Sequence, residues 1–271
     1  MYLEKFFYGD KSAIGCANCR DSSPIDFNIV MAFQPIIDAE NNKIYGYEAL
    51  VRGKDGRSAF EVISAVKPEN RYRFDQTCRV MAIDTASSLG LKEKLSINFM
   101  PNAVYEPASC IRLTLAAAKK CNISSNQIVF ELSESEKVSD YIHLNKILTE
   151  YNMHHFDVAI DDFGSGYSGL NTLVNFKPNV LKLDMELIRN IHQDHVRAAV
   201  IEGILRTCNL LNIRVIAEGI EMIEEYVALR GLGVIYFQGF LFAKPEIEAL
   251  PKVNFKLLTK NHDAYAHAIN N

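Results

Sequence analysis

Several features are missing from the sequence, and each absence excludes a class of protein. The longest apolar runs, such as residues 158–160 and 234–237, stop far short of the roughly 20 residues of a membrane-spanning helix. The N-terminus has no basic stretch followed by an apolar region and a small-residue cleavage site. We therefore expect no membrane partner, no signal peptide and a cytoplasmic location.

Strong net charge is also missing. The formal net charge is -4 and the isoelectric point is near 6.0, so no overall field attracts the chain to nucleic acid. We expect neither DNA nor RNA as a partner. A phosphate-bearing ligand would have to be bound locally, by metal ions or by individual basic side chains.

Cysteine is too sparse for a disulfide scaffold, with six residues in a chain of 271. Only Cys16 and Cys19 have C-x-x-C spacing, and no second pair or histidine pair follows at a zinc-site distance. We interpret residues 1–26 as a loosely packed N-terminal tail. A local metal site at the two cysteines is the alternative.

What is present is the alternation of a β/α protein. Strand-length apolar runs alternate with longer amphipathic segments, which favours a parallel sheet. Eight strands are predicted, at residues 31–37, 44–51, 95–99, 128–132, 158–162, 180–183, 215–218 and 234–238. The first two are too close for a crossover helix, so we expect an antiparallel hairpin. The predicted fold is α/β, a modified (β/α)8 TIM-like barrel with an antiparallel first hairpin.

Helices are predicted between the strands, at residues 74–89, 110–120, 139–151, 196–211 and 223–229. The fourth has the clearest three- and four-residue spacing of apolar side chains, which predicts a stripe that packs against the sheet. Its members are Val196, Ala199, Val200, Ile204, Cys208 and Leu211. No linker divides the chain, so residues 27–250 are predicted to be one domain, with residues 251–271 as a C-terminal tail.

Acids and amides are dense at the predicted strand ends: Glu48, Asn98, Glu131, Asp161, Asp162, Glu218 and Gln238. In a β/α barrel the carboxyl ends of the strands converge on one cavity. Crowded carboxylates repel one another unless a cation neutralises them, and oxygen ligands suit Mg²⁺ or Mn²⁺. The pattern therefore predicts a divalent-metal site. Taken singly, each acid is better explained as a solvated loop residue or a helix cap.

Asp161 and Asp162 are the hardest pair to explain as surface residues. They end a wholly apolar strand in VAIDDFGSGYSGL, and Gly164 and Gly166 after them allow a sharp turn. A carboxylate between two cations, with its neighbour on the second, would form a two-metal site for a phosphodiester. Lys182, which lies between two leucines in VLKLD, could hold the attacking water or a phosphate oxygen.

Over roughly residues 27–245 the sequence resembles the EAL-domain cyclic di-GMP phosphodiesterases. The motifs stand in order: FQPI, YEALVRG, SINFMP, FELSES, IDDFGSGYSGL, LKLD, IAEGIE and FQGFLFAKP. The resemblance implies hydrolysis of cyclic di-GMP to linear pGpG by a water that two Mg²⁺ or Mn²⁺ ions activate. It also implies a homodimer.

The resemblance assigns roles residue by residue. It implies one metal on Glu48, Asn98, Glu131 and Asp161, and a second on Asp161 and Asp162. Glu218 is either a ligand of the second metal or the general base. The remaining roles are orientation of water by Lys182, support of the metal and water network by Glu221 and Gln238, nucleotide contacts by Gln34, Leu50 and Arg52, and bracing of the loop after Asp162 by Glu134.

Two departures from the family pattern stand out. Gly53 occupies a position where tryptophan is frequent, and residues 68–79 resemble a subgroup that includes blue-light-regulated EAL proteins. No flavin-binding sensor or cyclase domain fits in the remaining residues, so we expect input from the N-terminal tail, dimerisation or a regulatory protein partner. Two alternatives remain open, namely a catalytically silent EAL module that binds cyclic di-GMP or a protein, and a barrel metalloenzyme for another phosphate ester.

Overall fold

The computed structural model describes residues 2–7, 23–134, 141–166, 169–256 and 258. Cys16 and Cys19 lie outside the described residues, as does most of the segment 251–271. Within the described part, no helix is both long and apolar enough to cross a lipid bilayer.

Strands β1 to β8 close into a barrel, because β1 pairs with both β8 and β2. Pairing from β2 to β8 is parallel throughout, whereas β1 is antiparallel to both of its neighbours. The strands are β1 (Ile29–Asp38), β2 (Lys43–Gly53), β3 (Lys94–Asn98), β4 (Ile128–Ser133), β5 (Asp157–Phe163), β6 (Val180–Leu183), β7 (Arg214–Ala217), β8 (Tyr236–Gln238) and β9 (Glu246–Ile247). The predicted fold class is confirmed.

The first hairpin is antiparallel as predicted, with register from Ile29 opposite Gly53 to Asp38 opposite Lys43. Its turn is stabilised by the Asp38 carboxylate, which accepts hydrogen bonds from the Asn41 backbone N–H at 3.0 Å and from its side-chain amide at 2.8 Å. Asn42 adopts a φ of 49°, a left-handed conformation that asparagine tolerates well. The short β9, which was not predicted, pairs with the other half of β1.

Helices cover the outside of the barrel. They are α1 (Tyr2–Phe6), α2 (Ala59–Ser64), α3 (Arg71–Ser88), α4 (Pro107–Lys120), α5 (Tyr141–Met153), α6 (Gly169–Phe176), α7 (Met185–Ile188), α8 (His195–Leu210) and α9 (Ile223–Gly231). The five predicted helices correspond to α3, α4, α5, α8 and α9. The four that were not predicted are eight residues or shorter.

The predicted apolar stripe of α8 is partly wrong. Ile204 and Cys208 are buried, but Val196 and Val200 are 59% and 48% exposed. The buried face is completed instead by Ile201, which is 0% exposed. Helix α8 therefore has two adjacent apolar faces, and only one of them packs on the barrel.

The barrel interior is layered. Alternate residues of a strand point inward, so positions two apart along one strand stack along the barrel axis. The middle layer is apolar and consists of Ile36, Val129, Ala159, Val180 and Ile216. Below it, Asp157 forms ion pairs of 2.7 Å with both Lys94 and Arg214. Above it, at the carboxyl ends of the strands, the next inward positions are polar.

Candidate active site

The upper layer of the barrel holds the predicted site. Glu131, Asp161 and Lys182 each lie two residues beyond a member of the apolar layer on the same strand. This spacing turns all three side chains inward. Glu131 and Lys182 are 0% and 1% exposed, so the carboxylate and the ammonium group are both removed from solvent.

A β-bulge explains how two adjacent acids reach one cavity. Neighbouring residues of a regular strand point to opposite faces, but the register between β5 and β6 shifts between Ile160 and Phe163. Asp162 has a φ of 55° within this irregular stretch. Its carboxylate accepts a hydrogen bond from the Ser133 hydroxyl at 2.9 Å. The bulge thus aims both Asp161 and Asp162 at the site.

The carboxylates form two overlapping groups. Glu48, Glu131 and Asp161 make one, and Asp161, Asp162 and Glu218 make the other; within each, the oxygen atoms lie within 4.8 Å of one another. Asp161 belongs to both. We call these groups the first and second acid triads.

Lys182 lies between the triads and is their counter-ion. Its Nζ is within ion-pair distance of four carboxylates. The distances are 2.6 Å to Glu218, 2.7 Å to Glu131, 2.9 Å to Asp161 and 3.5 Å to Glu48. A buried charge is stable only when it is paired, which is the condition that these contacts meet.

The pKa values follow from burial and from this lysine. Burial raises the pKa of Glu131 to about 8, with Lys182 opposing the shift and the neighbouring acids adding to it. Burial and the charge of Asp161 raise the pKa of Glu218 well above its ordinary value. Burial also acts to raise the pKa of Asp161, but the attraction of Lys182 and hydrogen bonds bring it below the usual value. The pKa of Lys182 is raised, because the carboxylates outweigh its burial.

Amide side chains support Glu48. Asn98 and Gln238 donate hydrogen bonds to its two carboxylate oxygens, at 2.8 Å and 2.7 Å. Gln238 also donates to Gln34 at 3.1 Å, and Gln34 donates to the Ala243 carbonyl at 3.1 Å. Three of the predicted amide residues therefore form one network around the first acid triad.

The other predicted residues lie around this centre. Glu134 accepts hydrogen bonds from the backbone N–H groups of Gly164 and Gly166, at 2.7 Å and 3.3 Å. Glu221 is half exposed and lies 3.6 Å from Arg189. Leu50 lines a cavity beside the acids. Arg52 donates to the Val51 carbonyl at 2.8 Å and does not line the described cavities around the acids.

Two cavities flank the acids. The larger is about 730 Å³ and the smaller about 270 Å³. Both are lined by Glu48, Asp161 and Asp162. The larger adds an apolar wall from α2 and α3, whereas the smaller adds Gln34, Glu218, Gln238 and Phe240. The triads thus lie where two ligand-sized spaces meet.

The residues present fit divalent cations. All the charged donors are carboxylates, the ligand type that Mg²⁺ and Mn²⁺ prefer. Glu131 Oε1 and Gln238 Oε1 are buried and have no hydrogen-bond partner among the described residues. A buried oxygen without a partner is energetically costly, and a bound cation or its water ligands would provide these two oxygens with a partner.

Ser133 is a site residue that the sequence reasoning missed. Its hydroxyl orients Asp162, as described above. The signal was present in FELSES, because Ser133 lies two residues after Glu131 on β4 and therefore shares its face.

One family profile and several known proteins are similar to this chain. The EAL domain profile matches residues 24–245. The blue light- and temperature-regulated antirepressor BluF of Escherichia coli (strain K12) is 31% identical over 248 residues, which are 91% of this chain and 61% of BluF. The chain therefore spans less than two thirds of that relative.

Two solved structures are also similar. One is a standalone versatile EAL protein from Vibrio cholerae O395 in its c-di-GMP bound form, 51% identical, with a TM-score of 0.83 over 86% of this chain and 99% of that one. The other is Klebsiella pneumoniae BlrP1 in complex with manganese and cy-diGMP, 30% identical, with a TM-score of 0.79 over 93% of this chain and 67% of that one.

Proposed function

This chain belongs to the EAL domain family, and from that premise we propose that it hydrolyses cyclic di-GMP to linear pGpG with the aid of two Mg²⁺ or Mn²⁺ ions. The observation that carries the proposal is the pair of acid triads that share Asp161 between two cavities. The similar structures with bound c-di-GMP, one of them with manganese, support the ligand and the metal.

Each triad would hold one cation. The first would be bound by Glu48, Asn98, Glu131 and Asp161, and the second by Asp161, Asp162 and Glu218. Cations bound there neutralise phosphate charge and lower the pKa of a water molecule. The membership of Glu218 in the second triad supports its role as a ligand rather than as the general base.

The protein's own residues would do the rest. Lys182 Nζ contacts both triads, and with the carboxylates bound to cations its ammonium group would be available to donate a hydrogen bond to the water or to a phosphate oxygen. Gln238 and Gln34 would keep Glu48 in its orientation through their hydrogen bonds. Glu134 would hold the backbone after the bulge, and Glu221, at the rim of the smaller cavity, would support the water network.

The cavities suit a two-part ligand. A cyclic dinucleotide has two guanosine halves joined by two phosphodiesters, and the acids lie between two spaces. Placing one phosphodiester at the triads would leave a half of the ligand on each side, with Leu50 in the wall of the larger space and Gln34 in that of the smaller. Arg52 would have to leave the Val51 carbonyl to contact the nucleotide.

We further propose that the protein is a cytoplasmic homodimer and that its EAL domain comprises residues 27–250. Apolar side chains are exposed on α5 and α6, with Ile142 at 72%, Leu170 at 60% and Val174 at 73%. Exposed apolar groups of this kind are typical of protein contact surfaces, which supports a dimer or a regulatory protein partner.

The test compares two substitutions on strand β5. Metal-free protein is incubated with cyclic di-GMP and then supplied with Mg²⁺ or Mn²⁺, and the products are separated by chromatography. We expect pGpG only after metal addition. Asp161→Asn should lower the rate by more than about 100-fold. Loss of a residue that only orients a metal ligand already lowers activity by up to about 100-fold, and Asp161 would bind both cations directly.

Asp157→Asn is the matched control, since Asp157 lies on the same strand at the opposite end of the barrel. It should leave the rate nearly unchanged. Tight binding of cyclic di-GMP without formation of pGpG would instead show that the protein is a catalytically silent EAL module. The similarity to BluF, which is named as an antirepressor, favours this second candidate. Turnover of other phosphodiesters but not of cyclic di-GMP would show the general metalloenzyme.

A further inference from the structure

A second buried ion pair lies outside the acid triads, between helix α3 and the ends of strands β3 and β4. Arg79 and Asp75 have side chains that are 0% and 1% exposed, and Arg79 Nε lies 2.8 Å from Asp75 Oδ2. The guanidinium also donates a hydrogen bond of 2.6 Å to the Tyr151 hydroxyl. The three aromatic rings around it lie 5.0–5.7 Å away, and belong to Phe99, Phe130 and Tyr151.

The pair is connected to two predicted metal ligands through the backbone. Asp75 Oδ1 accepts a hydrogen bond of 3.0 Å from the backbone N–H of Met100, two residues after Asn98. Phe99 directly follows Asn98, and Phe130 directly precedes Glu131. The two ligands are neighbours across β3 and β4, and the Phe99 N–H donates to the Glu131 carbonyl at 3.0 Å. The pair therefore contacts residues adjacent to both ligands.

Stability alone gives no reason for charges at this position. Removing two ions from water is costly, and well-packed apolar residues of similar volume often stabilise a protein equally well or better. Arg79 Nη2 even lacks a hydrogen-bond partner among the described residues, and the aromatic rings face the guanidinium instead. A directional group is useful, however, where a strand end must be fixed within a fraction of an ångström.

We propose that Asp75 and Arg79 are positioning residues, which fix the ends of β3 and β4 so that Asn98 and Glu131 can bind one cation together. Asp75 holds the backbone after Asn98, and Arg79 keeps Asp75 in place while it packs against the rings beside both ligands. The inference rests on the proposed function, because it assumes a cation at the first acid triad.

The test uses two double substitutions. Asp75→Leu/Arg79→Met replaces the pair by apolar side chains of similar volume and removes the acceptor for the Met100 N–H. Asp75→Asn/Arg79→Met removes both charges but retains an acceptor oxygen. Binding of Mn²⁺ to metal-free protein is measured from the electron paramagnetic resonance signal of the free ion, and folding from circular dichroism and thermal unfolding.

We expect the Leu/Met variant to unfold within about 4 °C of the unmutated protein, a change of the order of 1 kcal/mol. Its dissociation constant for Mn²⁺ should nevertheless rise about 10–100-fold, as for the loss of other residues that orient metal ligands. The Asn/Met variant should show a smaller rise, because Met100 keeps its partner. Saturating Mn²⁺ should restore most of the hydrolysis that the variants lose.

The control is Asp157→Leu/Arg214→Met, the same replacement at the opposite end of the barrel, where Asp157 pairs with both Arg214 and Lys94 and is less deeply buried than Asp75. It should leave Mn²⁺ affinity unchanged. A folded Leu/Met variant with unchanged affinity would overturn the inference while leaving the proposed function intact. If that variant does not fold, unchanged affinity in the Asn/Met variant overturns it equally. Absence of Mn²⁺ binding by the unmutated protein would reject the proposed function, and this inference with it.

Discussion

At the scale of the residue, Lys182 is the counter-ion of the site, because its ammonium group lies among four carboxylates. Its position follows from strand parity, because Val180 of the same strand is part of the apolar layer. Without this cation, the acids of both triads would have to take up protons or repel one another. The lysine therefore allows the metal-free site to exist in its folded arrangement.

We expect Lys182→Met to lower the free energy of unfolding of the metal-free protein by about 3–5 kcal/mol at pH 8, the cost of leaving buried charge unpaired. The loss should be smaller at pH 5. A carboxyl whose folded-state pKa is raised, as for Glu131 at about 8, contributes stability below its unfolded-state value and loses it as the pH rises through the folded-state value. Urea unfolding at the two pH values measures both.

Lys94→Met is the control for this substitution. Lys94 also pairs with a carboxylate, Asp157, at 2.7 Å, but it is partly exposed and lies at the opposite end of the barrel. Its loss should be smaller and nearly independent of pH between 5 and 8. Equal losses for the two variants would show that the acid cluster gains nothing special from Lys182.

At the scale of the element, helix α8 shows how the buried face is chosen. Both Val200 and Ile201 are apolar neighbours, yet Ile201 is fully buried and Val200 is 48% exposed. Successive helical residues point about 100° apart, so the rotation of the helix about its own axis decides which one is covered. That rotation is set by packing on the barrel rather than by the sequence of the helix.

Replacing each of these neighbours by alanine should therefore have unequal effects. Ile201→Ala should cost about 2–4 kcal/mol, because it opens a cavity in the core. Val200→Ala should cost about 0.5 kcal/mol or less, since the side chain is half in solvent. Chemical denaturation of both variants measures the difference. A larger loss of stability for Val200→Ala than for Ile201→Ala would contradict the burial of the Ile201 face of α8 against the barrel.

The sequence predicts the long elements of the fold but not the short ones. Eight strands, the antiparallel hairpin and five helices follow from apolar period, length and turn residues. The two-residue strand β9 and the four short helices do not, because segments of this length carry too few periodic positions. The face of α8 was predicted wrongly because its two apolar faces overlap in sequence.

The site was predictable to a similar extent. Acids at strand ends predict a convergent cluster, and the family resemblance suggests which acids belong to it. The contacts of Lys182 with four acids, and of Asp75 with the Met100 backbone, depend on tertiary packing that no local pattern contains. Strand parity does predict the contact of Ser133 with the site, because Ser133 shares the face of Glu131 on β4.

At the scale of the whole molecule, the chain beyond residue 245 covers the part of β1 that β8 does not reach. Ala32 and Phe33 of β1 pair with β9, and the Glu248 N–H donates to the Met31 carbonyl at 2.9 Å. The Tyr47 hydroxyl donates to the Pro251 carbonyl at 3.1 Å. Strand β1 is thereby covered along most of its length.

Truncation after residue 245 should therefore destabilise the barrel. Loss of the two residue pairings of β9 and of the Glu248 hydrogen bond costs about 3 kcal/mol at about 1 kcal/mol each, and the uncovered edge of β1 can then pair with another chain. Thermal unfolding and light scattering measure the two effects. Truncation after residue 258 keeps β9 and Pro251, so it should behave like the full chain; equal behaviour of the two truncated proteins would contradict the role of β9.

The bulge at Asp161 and Asp162 makes the site sensitive to a kind of change that leaves every acid in place. Both carboxylates reach the cavity only because the register shifts between Ile160 and Phe163. A single residue inserted or deleted in this stretch would turn one of them away without removing any of the acids. A relative with such an insertion or deletion could therefore lose the arrangement of the site while its sequence still contains every acid.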